Sequence, residues 1–308
     1  MKIAVIGAGG VGGYFGAKLA HAGYNVTLVA RGEHLNAIER NGLKVKSILG
    51  DFHAKDVSVT NSISKLNAPD LVILGVKAWQ VPDVAKELAT VITPNTVVLP
   101  LQNGVMAAEE LSQHLNPSNV LGGLCRIISK IDSPGVINHF GIKPAIVFGE
   151  INGSITPRVA LIKEVFDKAE IDSKASTDIT ADLWMKFISI CVSGLLAVSK
   201  TNYGELTTTP ETRKLMIDLL TEVYTLSQRI GVKIPESFLG KTIAFIDSYP
   251  PESTSSLTRD VWEGKPSEID YQNGTVVKLG LKHNVPTPVN QFVYSCILPM
   301  EKKARKGM

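Results

Sequence analysis

Short apolar runs rich in β-branched residues punctuate the first half of the chain: Ile3–Ile6, Asn25–Ala30, Leu71–Val76 and Thr96–Leu99. Each is too short for a helix and too evenly apolar for a strand with one wet face, so the pattern predicts strands buried on both sides. Helical periodicities lie between several of them, as in Gly12–Ala22 and Val81–Thr90. Buried strands alternating with helices predict a parallel sheet covered on both faces. The stretch from Val120 to Glu150 is richer in Gly, Pro and alternating positions. Its runs Val136–Phe140 and Ala145–Phe148 are expected as antiparallel additions at the edge of that sheet.

The pattern changes near residue 178. Long helical periodicities follow: Ile179–Ser199, Glu211–Ile230, Phe238–Asp247, Glu268–His283 and Val289–Lys303. Pro210, Gly231 with Pro235, Pro250-Pro251, and Pro286 with Pro288 mark the breaks. An α/β domain over 1–177 followed by an all-helical domain over 178–308 is the organisation this predicts. No internal repeat or low-complexity segment interrupts it.

Composition narrows the chemistry. With 44% hydrophobic and 20% charged residues in 308, the chain has the balance of an ordinary globular protein long enough for two cores. A formal charge of +3 gives no electrostatic case for nucleic acid. The basic end, Lys302-Lys303-Ala304-Arg305-Lys306, suits a solvated helix terminus. Cys125, Cys191 and Cys296 are odd in number and far apart, which fits a reducing cytosol and no disulfide framework. The six histidines show no ligand spacing, so no metal is expected. Met1-Lys2 leads straight into the first strand, without a leader pattern. The longest apolar run, Leu183 to Val198, contains Lys186 and falls short of a bilayer span, so no membrane association is expected.

Gly7-Ala8-Gly9-Gly10-Val11-Gly12 follows the first strand at once and opens a helix. In such a turn Gly7 makes the bend, Gly9 lets the backbone approach a pyrophosphate, and Gly12 lets helix and strand pack closely. The helix N-terminus adds free N–H groups and the positive end of a dipole. A dinucleotide is the ligand this constellation fits. The end of the second strand discriminates between dinucleotides, because an acid there accepts from a ribose 2′-hydroxyl. Here the residues are Val29-Ala30-Arg31-Gly32, with no acid before Glu33. A guanidinium suits a 2′-phosphate and points to NADP(H), with an ordinary surface arginine as the alternative. Lys77 and Asn103 follow the third and fourth predicted strands, at the carboxyl ends where open α/β sheets bind ligands.

Lys186 lies in Trp184-Met185-Lys186-Phe187-Ile188-Ser189-Ile190-Cys191-Val192, a helix apolar around nearly its whole circumference. A lysine enters such a setting with a partner or a purpose, and desolvation makes an ammonium a readier proton donor. Snorkelling of its stem to water is the alternative. Glu268 falls two residues after Pro266, in what reads as the first turn of a helix, where the dipole alone accounts for a carboxylate.

Taken together, these pieces resemble the ketopantoate reductase (2-dehydropantoate 2-reductase) family over nearly the whole chain. The matching segments are the glycine motif, Arg31, Val76-Lys77-Ala78-Trp79-Gln80 and Gln102-Asn103-Gly104. Trp184-x-Lys186, Gly204-Glu205-Leu206, and Ser256 with Glu268-Ile269-Asp270 complete the set. The resemblance implies a Rossmann-type N-terminal domain and a helical catalytic domain. It also implies NADPH-dependent reduction of a small 2-keto acid, ketopantoate to pantoate, in pantothenate and coenzyme A biosynthesis in the cytoplasm. Lys186 is then the catalytic lysine, and Asn103 sits between nicotinamide and substrate. Ser256 and Asn202 contact the substrate, and Glu268 touches both cofactor and substrate. Arg31 and Lys77 face the 2′-phosphate side, and Ile127 adds a backbone contact to the cofactor. Three positions depart from the family pattern. Asparagines usual four and eight residues after the lysine are Ile190 and Gly194 here, and the one before Gly-Glu-Leu is Tyr203, with Asn202 displaced by one. The lost amides leave another 2-keto acid or a keto lactone open as substrate, and a non-catalytic NADP-binding regulator as a more distant reading. Oligomeric state is open, a homodimer included.

Overall fold

The computed structural model describes residues 1–306. The chain divides into two compact units: Met1–Gln102 with Met106–Ile179, and the residues from Thr180 onward with Asn103–Val105. The three-residue excursion at 103–105 has no counterpart in a reading that cuts the chain once.

The first unit runs β1 (Lys2–Ile6), α1 (Gly10–His21), β2 (Asn25–Val29), α2 (Gly32–Asn41), β3 (Leu43–Ser47), β4 (Phe52–Ala54), β5 (Ser58–Thr60), β6 (Leu71–Leu74), α3 (Val81–Leu88) and β7 (Val97–Pro100). It continues with α4 (Ala107–Ser112), β8 (Gly122–Arg126), β9 (Ser129–Ser133), β10 (Val136–His139), β11 (Ala145–Gly149), α5 (Pro157–Lys168) and β12 (Asp172–Ala175). Five strands form a wholly parallel sheet in the order β5-β2-β1-β6-β7. The order reverses direction at β1, so the loops after β1 and β6 open at the switch point where such sheets take ligands.

The two late strand runs do not extend this sheet. Val136–His139 pairs parallel with β3 and antiparallel with β9, in a separate four-stranded sheet β4-β3-β10-β9. Ala145–Gly149 pairs antiparallel with β8 and parallel with β12, in a three-stranded sheet that adjoins the edge strand β7 through a parallel bridge between Val120 and Val98. For Val136–His139 the reason lies in α1, which is buried on nearly all sides from Gly12 to Ala20. A helix apolar all round needs two covers. The parallel sheet supplies one, where a Cβ on Gly16 would stand 2.7 Å from Leu28 Cδ2. The four-stranded sheet supplies the other, where a Cβ on Gly13 would stand 2.8 Å from Ile137 Cδ1.

Glu150, 8% exposed, holds the start of α5 in this unit. Its carboxylate accepts from Arg158 Nε at 2.7 Å and Nη2 at 2.5 Å, and from Thr156 Oγ1 at 2.6 Å. The Arg158 hydrogen bonds hold the Glu150 carboxyl below its ordinary 4.5, against the opposing effect of burial. A depressed carboxylate stabilises the fold above 4.5, and that contribution is lost as the pH falls through its lowered folded value. Arg158→Ala is expected to cost about 3 kcal/mol by stranding the carboxylate. Calorimetry should show a lower Tm at neutral pH and a weaker fall in Tm on acidification.

The second unit is helical: α6 (Ile179–Ile190), α7 (Val192–Ser199), α8 (Tyr203–Thr208), α9 (Pro210–Ile230), α10 (Phe238–Asp247), α11 (Ser256–Trp262), α12 (Asn273–His283) and α13 (Pro288–Lys306). The stretch Ile179–Ser199 is long and apolar enough to cross a membrane by length and composition, but most of it is buried inside the protein. Phe187, Ile188, Val192 and Leu196 are fully enclosed there with Leu219, Val223 and Val293. It is two helices rather than the single one expected. At the break, Cys191 offers its carbonyl to Asn273 Nδ2 at 3.1 Å. The helix expected over Glu268–His283 also begins later, at Asn273, after a short 3-10 turn Ile269–Tyr271.

Candidate active site

The glycine turn has the shape its sequence predicts, in the first unit. Gly7 lies at φ +92°, a conformation closed to other residues without strain, and a Cβ there would stand 2.8 Å from Val76 Cγ1. A Cβ on Gly12 would overlap the Gly7 carbonyl, so the close approach of helix to turn is available to glycine alone. Gly75, at the end of β6, packs on Gly12 in the same way, with its Cβ position 2.8 Å from Gly12 Cα. Sequence reading missed Gly75, because a lone glycine at a strand end carries no signal of its own. At Gly9 a Cβ would meet nothing within 4 Å among the described residues. The turn is tight behind and open in front, as a group that must admit a pyrophosphate requires. Gly9 at the cap of α1 has no side chain to occupy the first amides and no acid stands in the first turn, so the helix itself leaves its positive dipole end for an anion. The residues present therefore fit a dinucleotide.

Around the turn, Ala8 and Gly7 both donate their N–H to Val29 O, which ties the turn to the end of β2. Arg31 follows, exposed, as the residue preceding α2. Glu33 accepts from Asn36 Nδ2 at 3.3 Å on its own helix. Lys77 is half-buried after β6, with its ammonium 5.7 Å from the Trp79 ring centre and its N–H held by Gln80 Oε1 at 3.1 Å. Gln102 spans the ends of β6 and β7, donating from Nε2 to Leu74 O and Val76 O, both at 3.0 Å. Ile127 is half-buried between β8 and β9.

In the second unit three of the residues singled out from sequence meet directly. Lys186 Nζ donates to Asn103 Oδ1 at 2.8 Å, and Asn103 Nδ2 donates to Glu268 Oε2 at 3.1 Å. The carboxylate fixes which way the Asn103 amide faces, and so turns its oxygen toward the ammonium. Gly104, at φ +105°, makes the bend that delivers Asn103, and a Cβ there would stand 2.9 Å from Tyr271 O. Lys186 is half-buried rather than enclosed.

Glu268 is 6% exposed and does not sit in the first turn of a helix, as Pro266 had implied. Its segment is clamped by α13 instead. Glu301 accepts from Ser267 N at 2.8 Å and Ser267 Oγ at 2.6 Å, and itself holds Arg305 Nε at 2.6 Å. Tyr294 donates its hydroxyl to Asp270 Oδ1 at 2.7 Å, and burial together with that carboxylate pushes the phenol up to about 12. The helix dipole is therefore not what places this carboxylate.

The remaining positions behave differently. Asn202 is the cap of α8: its Oδ1 accepts from Glu205 N at 2.8 Å, while Glu205 Oε2 accepts from Asn202 N at 3.0 Å. Ser256 is exposed at the first position of α11, where Ser255 is the capping residue. Ile190 is half-buried and packs against the helical core. Gly194 has no room for a side chain, since a Cβ would stand 2.4 Å from Asn273 Oδ1 and 2.7 Å from Val293 Cγ1. Tyr203 lies edge-on to Tyr249 at 4.8 Å, and burial pushes its hydroxyl well above the ordinary range.

A glycine turn of this shape on a parallel sheet, followed by a helical unit carrying a lysine–amide–carboxylate chain, defines an oxidoreductase acting on a keto or hydroxyl carbon. The family model for ketopantoate reductase PanE/ApbA matches residues 3–153, and the model for its C-terminal part matches 178–301. The chain belongs to this family, whose members are NAD(P)-dependent oxidoreductases. It is 29% identical to the oxidoreductase YkpB of Bacillus subtilis, over 96% of this chain and 97% of that one. A 2-dehydropantoate 2-reductase of Nostoc is also 29% identical, over 99% and 97% of the two chains. The crystal structure of a PanE/ApbA family ketopantoate reductase from Ralstonia eutropha superposes with a TM-score of 0.91 at 30% identity, covering 99% of this chain and all of that one.

Proposed function

We propose that the chain reduces 2-dehydropantoate to pantoate with NADPH, in pantothenate and coenzyme A biosynthesis, with Lys186 as proton donor. The observation that carries this reading is the hydrogen-bonded chain from Lys186 through Asn103 to Glu268. When bound, the nicotinamide supplies the hydride that reaches the carbonyl carbon. Lys186 polarises the carbonyl oxygen and gives it a proton as negative charge develops. Asn103 holds the ammonium in place, and Glu268 holds Asn103. Since an ammonium carries three donors, the bond to Asn103 is compatible with a second one to substrate oxygen. Choice of NADPH over NADH rests on Arg31 and Lys77 for the 2′-phosphate, and on Glu33 being turned to Asn36. In this reading Gly7 to Gly12 cradle the pyrophosphate, Ile127 adds a backbone contact, and Ser256 meets the substrate carboxylate. Asn202 serves the substrate only by its N–H₂ group, its oxygen being the cap of α8.

A second substrate reading has a specific observation behind it. Position 190 is an isoleucine, so one amide usual in the family is replaced by apolar surface, while the room for a side chain at position 194 is taken by the Asn273 amide and Val293. That favours a bulkier or less polar 2-keto acid, or a keto lactone. The test is NADPH oxidation followed by absorbance across a panel of 2-keto acids and keto lactones, ketopantoate included. The highest kcat/KM with ketopantoate is the expected result. A larger value with another member moves the assignment to that substrate. Cofactor binding without oxidation of any of them would instead leave a dinucleotide-binding regulator.

A further inference from the structure

His34, in the first turn of α2, is bound through both ring nitrogens to backbone. Its Nε2 lies 2.9 Å from Ala8 O, inside the glycine turn, and its Nδ1 accepts the N–H of Gly135 at 3.1 Å. The Gly135 N–H can only donate, so Nδ1 is unprotonated and Nε2 carries the proton that reaches Ala8 O. A single neutral tautomer satisfies both bonds. Gly135 lies at φ +77° in the turn between β9 and β10, and passes its carbonyl to Lys44 N at 3.0 Å. The strand entering that hairpin, β9, abuts the same glycine turn, because a Cβ on Gly10 would overlap Ser129 O. One imidazole thus ties the turn to the four-stranded sheet that covers the outer side of α1.

We infer that His34 is a positioning residue for the dinucleotide: it holds the Ala8 carbonyl back, so that the turn keeps the shape a pyrophosphate requires. The inference rests on the reading of Gly7 to Gly12 as the pyrophosphate cradle. The pull on Ala8 O matters because that carbonyl belongs to the peptide whose nitrogen side is Gly9. A rotation of this peptide would swing an oxygen toward the phosphates and an N–H away from them. Loss of a hydrogen bond to a backbone group in so constrained a turn is worth about a tenfold change in affinity.

Protonation breaks the arrangement from the other end, because an imidazolium cannot accept from Gly135. The segments bonded to the ring, residues 7–9 and 133–135, contain no titratable side chain, and neither does β5, Ser58–Thr60, which packs on α2. The charges nearest in sequence to the ring and to its bonded segments are Arg31 and Glu33 beside His34 and Asp132 before the hairpin turn, the last paired with Lys46. Burial lowers the imidazole from its ordinary 6.5, against the smaller opposing effect of the Ala8 bond. A lowered histidine favours the neutral, latched form above 6.5, and the latch is lost as the pH falls through the lowered folded value.

The test compares His34→Leu and His34→Gln with the wild-type full-length protein. Nicotinamide fluorescence gives Kd for NADPH and for NADH, and amide hydrogen exchange of the cofactor-free protein reads Gly135 and the 8–13 segment. His34→Leu should raise Kd about tenfold and speed exchange at Gly135. His34→Gln, which keeps one donor and one acceptor, should stay within about threefold of wild type. The ratio of wild-type to His34→Gln affinity should fall as the pH drops through the lowered folded value of His34, beneath its ordinary 6.5, a comparison that cancels titration of the dinucleotide's own phosphates. Equal Kd for wild type and His34→Leu, even with a lower Tm, makes the contact structural and overturns the inference. Wild-type protein that binds neither dinucleotide overturns the reading of the turn itself.

Discussion

Lys186→Ala should lower kcat by about three orders of magnitude, the range a positioned general acid contributes, while leaving Kd for NADPH within about threefold. The asymmetry follows from where the lysine sits. Lys186 belongs to the helical unit and the pyrophosphate turn to the parallel-sheet unit, so removing the ammonium leaves the cradle of Gly7, Gly9 and Gly12 as it was. Asn103 would lose its donor on one side but keep Glu268 on the other. Lys186→Arg should recover little, since a planar fork cannot take the place of a compact ammonium 2.8 Å from Asn103 Oδ1. Stopped-flow absorbance of NADPH oxidation at saturating substrate, paired with fluorescence titration of the cofactor, separates the two quantities. A variant that turns over normally removes Lys186 from the chemistry. One that loses cofactor affinity in proportion makes it a binding residue.

The second large effect is expected at Arg31. Arg31→Ala should weaken NADPH by ten- to a hundredfold and change NADH by less than twofold, because a charge-assisted contact to a phosphate is worth about 1.5–3 kcal/mol. Isothermal titration with each dinucleotide measures both. The side chain is exposed and its backbone merely leads into α2, so the substitution leaves the fold intact. Equal loss for both cofactors would show that Arg31 shapes the turn instead. An unchanged preference would transfer the choice of cofactor to Lys77.

How far the site can be read from sequence varies residue by residue. The glycine turn is legible because its chemistry is local: six consecutive positions carry both the bend and the anion-binding helix end. Lys186 is legible as a contradiction, a cation in an apolar helix. Its partner is not, because Asn103 and Glu268 lie 83 and 165 residues away from their hydrogen-bond partners in the chain. Glu268 shows the limit best. Pro266 and a following helical pattern account for it by a dipole, yet the segment is held from the side by Glu301 and Tyr294 of α13. Side-chain clamps of that kind leave no periodic trace. Asn202 is the opposite case, a polar residue beside a family motif whose oxygen turns out to be a helix cap.

Sequence alone determined the alternation of buried strands and helices, the parallel order it forces, the anion-binding turn and the change to an all-helical second half. All of these depend on interactions within a few residues, or on a periodicity that any neighbour of the right polarity satisfies. Tertiary structure decided the rest. It placed Val136–His139 in a second sheet, because α1 is apolar on two sides and one sheet covers only one of them. It counted Asn103 with the helical unit, where it meets Lys186 and Glu268. And it put His34 between Ala8 and Gly135, a contact set by the packing of three elements whose sequences carry no sign of one another.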